Sequence, residues 1–251
     1  MFAGAEEEEA HAVWSDAGTL ARTQNSHCGQ GCPHHFCWVK TITAQDFRPF
    51  DWEAVAKSYR RRLPHLTQPG AIYFVTFRLA DSVPMEVSRR WNEEKAAWLA
   101  AHSPPWTADL EREYHRRFTM RLERWLDAGH GACVLHDPDL RVEVASSLQH
   151  DDGKAFELGD WVIMPNHVHV LLKPLVEAPI SKLLGPVKGA SARRINERQG
   201  GGGALWMDES FDHIVRGMDS LRKFQRYIAE NPAKAGLKPE SFSHEQRWLL
   251  K

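Results

Sequence analysis

The segment FELGDWVIMPNHVHVLLK, Phe156 to Lys173, constrains the fold more than any other part of the chain. Phe156 to Met164 is rich in aliphatic and aromatic residues and reads as a strand. His167 to Lys173 reads as a second strand. Pro165 and Asn166 between them are turn-forming residues. Two strands joined this tightly must lie antiparallel as a hairpin. Side chains alternate across a strand, so residues two apart share a face. Val168, Val170 and Leu172 therefore point into a core, and His167 and His169 point together to the other face.

The rest of the chain supplies elements to go with this hairpin. Ala71 to Leu79, AIYFVTFRL, is a third strand, entered from Gly70. Two helices follow Pro84, near Glu86 to Ala101 and Ala108 to Leu126, separated by Pro104-Pro105. Asp139 to Gln149 is a shorter helix after Pro138. Beyond the hairpin, Ile180 to Arg198 is a basic amphipathic helix that Gly185-Pro186 kinks or delays. Gly200 to Gly203 is a flexible loop, and Phe211 to Val215 a strand. Asp219 to Glu230 is a helix, which Pro232 ends. The order is that of an α+β, ferredoxin-like βαββαβ plan. We expect a four-stranded antiparallel sheet with helices on one face, a helical insertion at about 86–130, and an extra C-terminal helix. Residues 1–58 show no sustained period and read as a leader of uncertain order; residues 59–251 form the domain.

Charge excludes one simple function. The net charge is -1 over 251 residues, so no global positive field coats the protein for nucleic acid. Basic residues are local, at Arg60, Arg61 and Arg62, at Arg116 and Arg117, and from Lys182 to Arg198. No run approaches the ~18 apolar residues of a membrane span, and MFAGAEEEEA is acidic where a signal peptide is basic. The expected location is the cytoplasm. Cys28, Cys32 and Cys37 lie beside His27, His34 and His35. Their spacing fits no standard zinc ribbon or finger, so a metal site and a plain His-rich leader both stay open.

Chemistry concentrates at two places. Paired imidazoles on one face of a rigid strand make half of a divalent-cation site. The bland alternative is two histidines on a half-exposed strand. The second place is FQRYIAENPAKAGL, where Tyr227 and Asn231 are four apart and share a helix face. A phenol there is a candidate nucleophile and the amide oxygen a candidate third ligand. Free tyrosine has a pKa of ~10, so attack on phosphorus needs help from a cation that neutralises developing charge. Each residue alone has an ordinary explanation: a ring packed on the sheet for Tyr227, a helix cap for Asn231.

In combination these segments resemble a known family. WVIMPNHVHVLL is similar to the metal-binding strand of the HUH single-strand transposases, and YIAENPAKAGL to their tyrosine helix. RRRLPHLTQPGAIYFVTFRLADSVP and ESFDHIVR resemble the first and last strands of one branch, the REP-associated tyrosine transposases. The resemblance runs from about Tyr59 to Leu237. It implies that His167, His169 and Asn231 bind Mg2+ or Mn2+ and that Tyr227 attacks DNA. The implied reaction is transesterification through a 5′-phosphotyrosine with release of a 3′-hydroxyl. The implied substrate is single-stranded DNA folded into short hairpins at imperfect palindromes. Lys182, Lys188, Arg193, Arg194 and Arg198, with Arg60, Arg61 and Arg62, are the candidate phosphate contacts; a solvated helix face is the plain alternative. The branch suggests a monomer, and related small transposases suggest a dimer. Three other readings remain: a hairpin-binding protein without catalysis, a replication-initiation nuclease of the HUH type, and an RNA-binding module. The aromatic signature of the last is not evident. The near-neutral charge is low for a hairpin binder, and the Cys/His leader has no place in the family pattern.

Overall fold

The computed structural model describes residues 39–47, 59–60, 64–65, 70–103 and 106–251. The strands are β1 (Lys40–Ile42), β2 (Tyr59–Arg60), β3 (Pro64–His65), β4 (Ile72–Arg78), β5 (Phe156–Ile163), β6 (His167–Pro174), β7 (Phe211–Val215), β8 (Ser243–Glu245) and β9 (Trp248–Leu250). The helices are α1 (Met85–Ala101), α2 (Ala108–Tyr114), α3 (Met120–Asp127), α4 (Pro138–Asp151), α5 (Ile180–Gln199) and α6 (Met218–Lys234). A π-helical turn, His115–Thr119, joins α2 to α3.

The main sheet has the order β7-β4-β6-β5-β8, and every neighbouring pair is antiparallel. Its first four strands are those expected, and their order is that of a βαββαβ fold with α4 and α5 as its two helices. The expectation of four strands falls short by one. β8 adds itself to β5 from the C-terminal segment, where three short residues carried too little pattern to read. A separate parallel pair joins β1 to β9, so part of the segment read as a leader is tied to the far end of the chain. The Cys28, Cys32 and Cys37 cluster lies outside the described residues.

β4 is buried along its whole length because both faces of the sheet are covered. Tyr73, Val75 and Phe77 share one core with Val168, Val170 and Leu172, against Leu140, Val144 and Leu148 of α4 and Leu184 and Val187 of α5. Phe74, Leu171 and Val162 share the other core with Leu221 and Ile228 of α6. The two helices of the βαββαβ plan, α4 and α5, thus share one face as expected, and the extra helix α6 covers the opposite one. Its amphipathic stripe has no other surface to bury against.

Two prolines sit inside helices. α5 starts at Ile180 with Pro186 within it, so its start is not delayed. α6 runs on to Lys234 through Pro232, which corrects the expectation that Pro232 ends it. A proline lacks the N–H that would bond four residues back, and it disfavours helical geometry in the residue before it. The side chain of that residue, Asn231, is buried, and tertiary packing holds the last turn.

Between β4 and α4 stand α1 to α3. They carry their own core, in which Trp91, Trp98, Tyr114, Phe118, Leu122 and Leu126 meet. Aromatic residues recurring at helical spacing in both expected helices fold back on one another here. Trp98 lies edge-on to Phe118 at 5.9 Å.

A bulge in β5 clips the C-terminal segment in place. The register slips between Leu158 and Trp161, which frees Asp160 to accept from the backbone N–H of Arg247 at 2.8 Å and of Trp248 at 2.9 Å. Gln225 of α6 donates to Asp160 at 2.8 Å and to the Trp248 carbonyl at 2.9 Å. Gly159 makes this possible: a Cβ there would lie 2.8 Å from the Trp248 ring. Gly159→Ala must displace Trp248, and overpacking of this kind costs about 1–3 kcal/mol. A lowered Tm and denaturant midpoint, by calorimetry and urea unfolding, are the expected result.

Candidate active site

β4 and β6 run side by side with Thr76 opposite His169 and Arg78 opposite His167. The alternation expected from sequence puts both imidazoles on the α6 face. They are not surface histidines, since His167 is 1% exposed and His169 0%. Burial pushes His167 down to about 3. Burial, followed by the neighbouring His167, holds His169 well below its ordinary value. Both rings are therefore neutral at physiological pH, the form that ligates a cation.

Hydrogen bonds fix which nitrogen of His167 carries the proton. The amide oxygen of Asn166 lies 2.7 Å from His167 Nδ1. An amide oxygen only accepts, so Nδ1 is the donor and Nε2 keeps its lone pair. The Thr76 hydroxyl pairs with His169 Nδ1 at 2.8 Å. The two Nε2 atoms then face each other at 3.0 Å. Two lone pairs that close repel unless a proton or a cation lies between them.

α6 completes the surroundings. Asn231 is 1% exposed and its amide nitrogen lies 2.9 Å from His169 Nε2. Its amide oxygen is buried with no hydrogen-bond partner. The Tyr227 ring stands edge-on to His169 at 5.2 Å and to Phe74 at 5.7 Å. The residues singled out in the sequence as ligands and nucleophile thus meet at one place, within one chain. Two imidazole nitrogens and an unpartnered amide oxygen make a donor set that suits a divalent ion of intermediate softness. Among the described residues no cluster of three or more His, Cys, Asp or Glu side chains is arranged to hold a metal ion. The fit therefore depends on the Asn231 oxygen.

The sequence missed two carboxylates. Glu123 of α3 lies close enough to Tyr227 for its charge to act on the phenol, and Asp127 lies one turn further along α3. Burial pushes Glu123 up to about 7 and Asp127 up to about 6. Burial first, then the charges of Glu123 and Asp127, hold the Tyr227 phenol far above its ordinary value. Nothing in the sequence links these residues to the tyrosine, apart from their four-residue spacing on one helix. Asn166, read as a turn residue, also does more. Its amide nitrogen donates to the carbonyls of Leu126 at 3.1 Å and His130 at 3.2 Å, at the end of α3.

The candidate phosphate contacts are more scattered. α5 packs on the other face of the sheet from the histidines. Lys182 and Arg193 stand exposed on it. Lys188 donates to the carbonyls of Met207 at 2.6 Å and Asp208 at 2.9 Å. Arg194 and Arg198 both pair with Glu143 at 2.7 Å. Arg60 belongs to β2, and Arg61 and Arg62 lie outside the described residues.

Asn166→Ala would leave the buried His167 Nδ1 without its acceptor and remove one donor each from the carbonyls of Leu126 and His130. An unsatisfied buried group costs about 1–3 kcal/mol, so the variant is expected to lose stability in that range in chemical denaturation. A loss below about 1 kcal/mol would mean that water replaces the amide.

Comparison with known proteins bears on this same stretch. Residues 141–231 match the family described as "Transposase IS200 like". No curated protein matches the chain. The solved structure of a REP-associated tyrosine transposase bound to a REP hairpin is similar at 18% identity, with a TM-score of 0.38, over 72% of this chain and 74% of that one. No helix among the described residues is long and apolar enough to cross a membrane. The segment that this family model matches takes in both histidines, the tyrosine and the asparagine.

Proposed function

We propose that this protein cuts and rejoins single-stranded DNA by transesterification at Tyr227, on hairpin-forming palindromes of the kind its sequence resemblance implies. One observation carries the reading. Tyr227, Asn231, His167 and His169 lie together on one face of the sheet, within the segment that matches the IS200-like transposases.

The division of labour follows from the elements. β6 is central and rigid, and it presents two neutral imidazoles. α6 brings the phenol and the amide from the same chain, so one chain supplies a whole site and a monomer suffices. His167, His169 and Asn231 would hold Mg2+ or Mn2+, which when bound would offset the negative charge developing on the scissile phosphate. Asn166 and Thr76 set the imidazole orientations. The Tyr227 oxygen attacks phosphorus, a phosphotyrosine forms on the 5′ side, and a 3′-hydroxyl leaves. A second 3′-hydroxyl reverses the step, and the covalent link conserves the bond energy in between.

The low net charge of -1 means that binding does not rest on a global field. Exposed cations beside the nucleophile, such as Lys223 on α6, and Lys182 and Arg193 on α5 offer local phosphate contacts. Their number is small, so affinity should fall only modestly with salt.

The test is covalent capture. With Mn2+ and single-stranded hairpin DNA, the protein should form an adduct that resists denaturing gel electrophoresis. Tyr227→Phe should form none while binding the hairpin within a few-fold of the parent. An adduct in the variant would show that another residue is the nucleophile. Hairpin binding without any adduct in the parent protein would favour a binding protein without catalysis. Replacing both histidines by Ala should remove Mn2+ binding in isothermal titration, where second-sphere loss through Asn166→Ala lowers affinity by about 10–100-fold.

A further inference from the structure

We propose that Arg78, with the cleft it lines, is a binding site for a phosphodiester of the single strand, next to the one that is cut. The inference rests on the reading of the protein as one that binds and cuts single-stranded DNA.

The register of the sheet fixes where Arg78 stands. Residues opposite one another in an antiparallel pair share a face, with Cβ atoms about 4.5–5.5 Å apart. Thr76 stands opposite His169 and reaches its Nδ1 at 2.8 Å. Two residues further along β4, Arg78 stands opposite His167. Arg78 therefore shares the face that carries the histidine pair. A cleft opens there between the sheet and the helical insertion. Thr76, Arg78 and Phe211 line it from the strands, Trp91 from α1 and Leu122 from α3. Thr76 belongs both to this cleft and to the histidine site, so the two are continuous.

The cleft is built around a buried cation. Arg78 is 7% exposed. Its Nη1 donates to Ser82 Oγ at 3.1 Å and to the Leu79 carbonyl at 3.5 Å, and its Nη2 to Ser88 Oγ at 3.3 Å. All three acceptors are neutral, and the guanidinium has further donors to spare. Glu209, on the cleft wall, acts on it from further off. A buried charge without a close counter-ion costs stability. Lys95 on α1 repeats the pattern. It is 1% exposed, and its amine lies 4.4 Å over the Trp91 ring with no hydrogen-bond partner. The indole Nε1 of Trp91 is also buried without an acceptor. These unmatched groups are donors, and what they lack is an anion.

The walls select the kind of anion. Glu209 already offsets part of the positive charge, which favours the single charge of a phosphodiester over a free phosphate dianion. Trp91, Leu122 and Phe211 give apolar surface beside Arg78, suited to the deoxyribose on either side of a phosphate. The planar guanidinium fits two phosphate oxygens at once. A strand whose scissile phosphate lies at the histidine pair would bring an adjoining phosphate to Arg78.

Binding measured by fluorescence anisotropy with Mn2+, on Tyr227→Phe protein so that no adduct forms, tests this. Phosphates of the hairpin strand are replaced one at a time by neutral methylphosphonate. One position next to the cut should lose on the order of 10-fold in affinity, as for a charge-assisted hydrogen bond. Adding Arg78→Met should cost the natural strand a similar factor, and the methylphosphonate at that position should then cost nothing more. The slope of log affinity against log salt should become shallower by about 0.7. Tm should hold or rise, because an unpaired buried charge is removed. A penalty that persists in full in Arg78→Met overturns the site, and so does a scan with no sensitive position next to the cut. If Arg78→Met does not fold, Arg78→Lys decides, since it keeps the charge and loses the fork. The sensitive position should then lose part of its penalty, and an unchanged penalty overturns the site. A parent protein that binds no single-stranded hairpin overturns the functional reading and this inference together. One that forms the adduct, with no coupling between Arg78 and any phosphate, overturns this inference alone.

Discussion

The bond from His167 Nδ1 to the Asn166 amide oxygen, 2.7 Å long, is the constraint on which the site depends. It selects the tautomer that turns a lone pair inward. The other end of the same amide binds two carbonyls where α3 finishes. One side chain therefore fixes the orientation of an imidazole and the position of a helix far away in sequence. Its place in a two-residue turn leaves it no freedom to drift, because β5 and β6 are paired on either side.

The sheet works as a partition. One face is an ordinary hydrophobic core under α4 and α5. The other has an apolar half around Phe74 and Leu171 and a polar half around Thr76, His167 and His169. Phe224 stacks on Phe74 at 4.4 Å, which anchors α6 one turn before Tyr227. Apolar contact places the helix, and the polar groups have only to meet. Burying two imidazoles and an amide in such a place costs stability unless each polar atom finds a partner. The unpartnered oxygen of Asn231 marks where that condition is not met by the chain alone.

Much of this was legible in the sequence, for physical reasons. Strands β4 to β7 announced themselves because each is a run of β-branched and aromatic residues bounded by turns. The two-residue period then put His167 and His169 on one face without any structure. Helical spacing put Tyr227 and Asn231 on one face, and the family resemblance singled them out. What failed was governed by tertiary contact. Pro232 lies inside α6 because the buried Asn231 holds the last turn against a local preference. β8 and β9 are three residues each, too short for a pattern, and exist through pairing. The opposite packing of α5 and α6 depends on which sheet face each crossover returns to. Glu123 and Asp127 carry no motif that ties them to the tyrosine, and only the fold brings their charges near it. The charge run on α5 read as a contact surface, yet Arg194 and Arg198 share one carboxylate within the chain.

The helical insertion has its own aromatic core, distinct from both cores of the sheet. Units of that sort open and close on their own, at a smaller free energy than global unfolding. Each opening of α3 would release the Asn166 amide and draw the carboxylates away from Tyr227. Breathing of a peripheral module would thus loosen an imidazole at the centre of the sheet and bare the phenol at once. Amide hydrogen exchange would register the two as a single event.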